Sequence, residues 1–185
     1  MKKVTIKVNS KYVTKDKAIK KNAFYDSDIV EVVIEDGIKS VGSSAFYRCG
    51  WLKKVVLPKS LKKIDDFAFG RCDSLAEIVL PENLETIGAQ AFSGCAFSTL
   101  EIPPSVREIG AVAVGWCDAL ETVVIPSGAR LGAGCFECDN GLKKVNVPGG
   151  VASGIVPRQA FDACHGLMEV KLGEGIVEIG DEAFR

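Results

Sequence analysis

Apolar positions recur along the chain with a period close to 23 residues, and within each period they fall into three groups. The first is a small residue followed by an anchor: Ala23-Phe24, Ala45-Phe46, Ala68-Phe69, Ala91-Phe92, Ala113-Val114, Cys135-Phe136, Ala160-Phe161 and Ala183-Phe184. Successive anchors lie 22, 23, 23, 22, 22, 25 and 23 residues apart. Five or six residues later comes a large apolar side chain (Ile29, Leu52, Leu75, Phe97, Leu120, Leu142, Leu167). An alternating pair follows, such as Val55-x-Leu57, Ile78-x-Leu80, Leu100-x-Ile102 and Val123-x-Ile125. Residues two apart share one side of a strand, so each period predicts one short strand with one buried face. Pro58, Pro81, Pro103, Pro126 and Pro148 close five of these strands, since proline cannot donate to a ladder. A second apolar pair then carries the chain across, as in Leu61 with Ile64 and Val106 with Ile109. The anchor segment, for instance residues 43–49, is predicted to form a helical or 3-10 turn with a Ser or Asp cap.

One such unit cannot bury its apolar side alone, whereas stacked units share a continuous core. The expectation is a solenoid with one short parallel strand per repeat of ~23 residues. It is read as one unit over residues 1–185, with about eight coils: an N-terminal coil at 1–24 and regular repeats at 25–184. The period at 136–161 carries two extra residues around Val151 to Pro157, and the anchor at 114 is valine. A single residue follows Phe184, so the C-terminal edge is expected to be uncapped.

The unit Cys-x-x-Leu-x-x-Val-x-Leu-Pro-x-x-Leu-x-x-Ile-x-x-x-Ala-Phe, at Cys49 to Phe69 and Cys72 to Phe92, resembles the BspA-type leucine-rich repeat. That resemblance implies an α/β repeat solenoid, a right-handed superhelix with a strand-lined concave face and short helical or 3-10 turns on the convex side. It also implies adhesion or protein recognition, often at a cell surface, with no enzymatic activity.

Composition narrows the function classes. The chain of 185 residues is 47% hydrophobic and 25% charged, with a net charge of −1. It therefore has no general attraction for nucleic acid or anionic membrane. No apolar run reaches the ~18–20 residues of a spanning helix. Charge is nevertheless segregated. Residues 1–21 hold eight lysines against Asp16, or +7, which leaves −8 for the remainder. This asymmetry suggests either end-to-end self-association, the basic first coil docking on the acidic end of another copy that contains Glu169, Glu174, Glu178, Asp181 and Glu182, or docking of that coil on an anionic surface.

Seven cysteines and one histidine are the residues that bear on catalysis or metal binding. Cys49, Cys72, Cys95, Cys117 and Cys164 each follow an anchor by three residues and Cys138 follows by two, so they are read as one column of buried structural thiols. Parallel side-chain vectors suit disulfides poorly. Cys135-Phe136-Glu137-Cys138 has the spacing of a zinc half-site, but no second C-x-x-C exists. His165 beside Cys164 makes no dyad, because sequence neighbours need not converge. The expectation is no catalytic residue, no cofactor and no metal. Acidic pairs such as Asp65-Asp66 are read as caps of the anchor turn. A free-thiol column and the lack of a signal peptide in residues 1–7 fit a reducing compartment, against the surface location that the resemblance implies.

Residues between the buried ones in each strand face outwards. The outer column reads Glu31, Lys54, Glu77, Thr99, Thr122, Lys144, Glu169, and the central column Val33, Val56, Val79, Glu101, Val124, Asn146, Lys171. Valines in a nominally exposed column mark an interaction face, or else reflect strand propensity alone. The candidate partner-binding set is Lys54, Val56, Val79, Thr99, Thr122, Val124 and Lys144, with a protein or another host-surface macromolecule as the expected partner. The alternative role is that of a structural spacer or self-associating scaffold segment.

Overall fold

The computed structural model describes residues 2–7 and 9–185; Met1 and Val8, which fall in the expected first coil, lie outside the described residues. The strands occupy two faces of a stack of coils. The first face carries β1 (Lys2–Ile6), β3 (Ile29–Ile34), β5 (Lys54–Val56), β7 (Glu77–Ile78), β9 (Thr99–Glu101), β11 (Thr122–Val124), β13 (Lys144–Val147) and β15 (Glu169–Leu172). The second carries β2 (Ala18–Ile19), β4 (Ser40–Val41), β6 (Lys63–Ile64), β8 (Thr86–Ile87), β10 (Glu108–Ile109), β12 (Arg130–Leu131), β14 (Ile155–Val156) and β16 (Glu178–Ile179). All pairings between these strands are parallel and join equivalent positions of adjacent coils, as in Val32 with Val55 and Ile64 with Ile87. The repeat solenoid expected from the periodicity is present.

The anchors form its spine. Phe24, Phe46, Phe69 and Phe92 stack with ring centroids 5.2, 5.1 and 5.6 Å apart and planes within 4° of parallel. Phe136, Phe161 and Phe184 form a second stack at 5.3 Å. Val114 separates the two. Phe97, one residue earlier in its coil than Leu75 is in the preceding one, sets its edge against Phe92 at 6.1 Å.

Two features differ from the sequence expectation. The second apolar pair of each repeat is a strand in its own right, and six of these strands make a continuous sheet from β2 to β12. The anchor segments are not helical: the only helical segment among the described residues is a 3-10 turn at Ala152–Gly154. Bonds of the i to i−3 kind do occur, such as Cys49 N–H to Phe46 O and Leu52 N–H to Cys49 O. Positive φ at every fourth residue, for example Ser44 (55°) with Arg48 (62°) and Phe67 (59°) with Arg71 (58°), prevents those turns from winding into a helix. It also rotates alternate N–H groups towards the next coil, so Phe46 and Arg48 donate to Ala68 O and Gly70 O at 2.8 and 2.9 Å. The anchor side of the solenoid is thus a third hydrogen-bonded seam. Asp66 serves that seam, accepting the N–H of Ala89 in the following coil at 2.8 Å, while Asp65 pairs with Lys63 at 2.8 Å.

On the second face the ladder is interrupted at the longest repeat. The two extra residues near Val151 form the 3-10 turn, and β14 pairs with β16 rather than with β12. On the first face the ladder divides into β1-β3-β5-β7, β9-β11 and β13-β15.

Candidate functional site

The outward residues of the first face sit as the alternation demands. Val55, Leu100, Val123 and Val145 are buried beneath it, whereas Val56, Val79 and Val124 are 41%, 82% and 57% exposed. Val56 lies in register with the half-buried Val33 on β3. Lys54 pairs across the ladder with Glu77 at 3.0 Å, and the Glu77 carboxylate holds the Lys54 ammonium above its usual range. Lys54, Val56 and Val79 share one groove, floored by Val55 and Ile78 and rimmed by Lys59 and Glu82. Apolar surface dominates its lining.

The rest of the candidate set is distributed over the other two ladder segments. Thr99 and Thr122 face each other across β9 and β11, and Val124 faces Glu101. Glu101 thereby interrupts the valine stripe between Val79 and Val124. Lys144 belongs to the third segment, where Glu169 bridges Lys144 at 2.9 Å and Lys171 at 3.2 Å. Hydrogen bonds from both ammonium groups hold the Glu169 carboxylate below its usual range.

The thiols are accounted for by the spine. Cys49, Cys72, Cys95, Cys117 and Cys164 are buried, and each donates Sγ–H to the anchor carbonyl of an earlier coil: Phe24, Phe46, Phe69, Phe92 and Phe136, at 3.0, 3.1, 3.4, 3.3 and 3.0 Å. Burial pushes all of these thiols up, Cys164 to about 12, and a protonated thiol is a poor nucleophile and a poor metal ligand. One position departs from the sequence reading. The slot three residues after Phe136 belongs to Asp139, not to Cys138, and Asp139 is fully buried there. Cys138 takes the preceding left-handed position, at φ 59°, and is half-buried, while its C-x-x-C partner Cys135 is fully buried. Among the described residues no group of three or more His, Cys, Asp or Glu side chains is arranged to hold a metal ion. His165 is exposed beside the buried Cys164. Among the described residues no helix is long and apolar enough to cross a membrane.

Sequence reasoning about strand faces missed a second surface feature. Both tryptophans, Trp51 and Trp116, are exposed, at 68% and 57%, at the anchor corner rather than on the strands. Trp116 donates its indole N–H to Glu137 at 3.3 Å. The available signal was that neither tryptophan occupies any of the recurring apolar positions.

Comparison with known proteins agrees with this architecture. The chain is similar in structure to a T. pallidum leucine-rich repeat protein, at 25% identity and a TM-score of 0.62, over 96% of this chain and 72% of that one. A leucine-rich repeat protein from Bacteroides ovatus aligns over 100% of this chain and 72% of its own, at 22% identity and a TM-score of 0.55. The pneumococcal vaccine antigen PcpA shares the fold at 15% identity and a TM-score of 0.52, with 89% of this chain covering 57% of that one. No curated protein matches the sequence. The BspA type leucine-rich repeat region, in 6 copies, matches residues 17–128 and 129–185. With its period, its phenylalanine spine and its parallel ladders all accounted for by that repeat, the chain belongs to the BspA-type leucine-rich-repeat family.

Proposed function

We propose that this chain is a non-enzymatic recognition module that binds a protein partner through its strand-lined face, centred on the groove between Val56 and Val79. The observation that carries this reading is the exposure of Val79, 82%, in an apolar groove with charged rims. Exposed apolar surface framed by polar groups is the usual anatomy of an interface core. Lys54, Thr99, Thr122, Val124 and Lys144 supply the flanking contacts, which set orientation more than affinity. Repeat families and solenoids of this kind are generally non-enzymatic and generally bind proteins, and membership in the family favours a surface or secreted location.

The test is the double substitution Val56→Lys and Val79→Lys. Both side chains point to solvent, so the thermal midpoint stays near that of the parent while capture of the partner in a pull-down is lost. Undiminished capture rejects the assignment.

A second role, as a self-associating scaffold segment, is favoured by the segregation of charge, +7 over residues 1–21 against −8 over the remainder. Light scattering at low and high salt separates the two roles: a monomer under both conditions removes self-association.

A further inference from the structure

Three successive coils leave a hollow at the corner between anchor turn and strand. The residues four positions after the anchors there are Asp28, Gly50 and Asp73. Gly50 therefore leaves a gap between two carboxylate-bearing positions, and a Cβ added to it would meet nothing within 4 Å. Arg48 and Arg71, two positions after their anchors, line the same hollow, together with Tyr47 and Trp51. The Tyr47 ring is braced between Tyr25 at 5.6 Å and the edge of Phe67 at 5.8 Å, so that wall is rigid. Trp51 is not packed in this way: it stands 68% exposed beside the gap.

The chemistry of this hollow differs from that of the strand-face groove. Its lining is mostly polar, and Tyr47 and Trp51 are the aromatic residues in it. Three carboxylates, those of Asp26, Asp28 and Asp73, stand against two guanidinium groups, so the charge is close to balanced and favours neither an anion nor a cation. Carboxylate and guanidinium are planar groups with two adjacent acceptors or donors, a geometry that matches a pair of neighbouring hydroxyls. An exposed indole supplies a flat apolar face with a polar edge. Two steps between coils span about 10 Å, enough for one or two six-membered sugar rings.

We propose that this hollow is a binding site for a neutral saccharide, whose ring lies with its C–H face on Trp51 above Gly50 while its hydroxyls bond to Asp28, Asp73, Arg48 and Arg71. The site uses none of the strand-face residues and does not depend on protein recognition by that face. A peptide is the less suitable occupant, because it calls for a longer apolar groove than one indole provides.

A microarray of neutral, sialylated and sulfated glycans, probed with the whole chain, tests the proposal. Neutral glycans give the signal, and Trp51→Ala lowers it by roughly tenfold or more, as truncating a central aromatic contact does. Gly50→Leu does the same by filling the hollow. Its backbone lies outside the left-handed region and its Cβ position is open, so its thermal midpoint matches the parent and loss of binding is not loss of fold. Val56→Lys leaves the signal intact. Absence of any neutral-glycan signal, a signal confined to the anionic glycans, or one that survives both Trp51→Ala and Gly50→Leu overturns the proposal.

Discussion

Asp139 Oδ1 accepts the backbone N–H of Cys117 at 2.8 Å, while its other oxygen, Oδ2, is buried without a hydrogen-bond partner. The slot is one that other coils fill with a hydrogen-bond donor, the thiol of Cys49, Cys72, Cys95, Cys117 or Cys164. A carboxylate has nothing to donate, and burial, with Asp118 and Glu137 nearby, pushes the Asp139 carboxyl up to about 9. It is therefore held as the neutral acid at physiological pH.

A pH dependence of stability follows. In the unfolded chain the carboxyl titrates near 3.8, in the folded chain near 9. Below the lower value both states hold the proton and ionisation has no effect. Between the two values the unfolded state releases its proton and the folded state does not, so stability falls by up to ~1.4 kcal/mol per pH unit. Above the upper value the loss is complete and constant. Asp139→Cys restores the column and abolishes this slope, stabilising the chain by roughly 2 kcal/mol or more at pH 7. Thermal melts of parent and variant in reductant from pH 4 to 9 measure it; parallel curves would refute the account.

The phenylalanine spine predicts a graded cost of truncation. Phe69 is fully buried between Phe46 and Phe92, so Phe69→Ala opens a cavity on both sides and costs about 3–5 kcal/mol. Phe184 is half-buried and stacks on Phe161 alone, so Phe184→Ala costs clearly less. Urea denaturation of the two variants gives the comparison, and equal losses would contradict a spine that is held from both sides.

A column of glycines sets how closely the coils approach on the second face. Gly110 follows Ile109, and a Cβ there would lie 2.4 Å from the N of Ala89; at Gly132 it would lie 2.5 Å from the N of Ala111. The obstruction in each case is backbone of the preceding coil, which cannot yield without parting the stack. Gly110→Ala is thus expected to destabilise by ~1–3 kcal/mol, the range for overpacking, despite alanine's higher intrinsic preference for ordered structure. Gly50→Ala, at the open corner, is the matched control and leaves the melting midpoint unchanged.

These cases show which parts of the structure are legible in the sequence. The spine is legible because phenylalanine recurs at a nearly fixed interval and is too large to remain outside. Paired strands on the first face are legible where alternation spans three or more residues, as at Val55-x-Leu57. The second sheet is not, since two-residue strands such as Lys63–Ile64 carry no period of their own and are defined by the coil beside them. Asp139 is obscured by Cys138, which draws the eye one residue away from the true slot. The hollow at Gly50 depends on residues from three coils that lie 20 or more positions apart, so only stacking brings Asp28, Arg48 and Asp73 together. On the strand face, Glu101 can be read as a break in the valine column, but the division of the ladder into three segments cannot.

Thiol accessibility supplies the last prediction. All seven cysteines are free, and six of them are buried; only Cys138, in the left-handed position after Glu137, reaches the surface in part. Burial raises every one of these thiols, and raises Cys138 as well, where Glu137, Asp162 and Asp139 add to the effect. Disulfide-forming reagents act on the thiolate. Treatment of the native chain with an aromatic disulfide reagent at pH 8 should consequently modify Cys138 slowly and the other six only as the chain unfolds. Denaturant then exposes all seven at once. Peptide mapping of the modified protein identifies the site, and rapid native labelling at Cys72 or Cys95 would mean that the column is open to solvent instead of bonded to the anchor carbonyls of the coil before it.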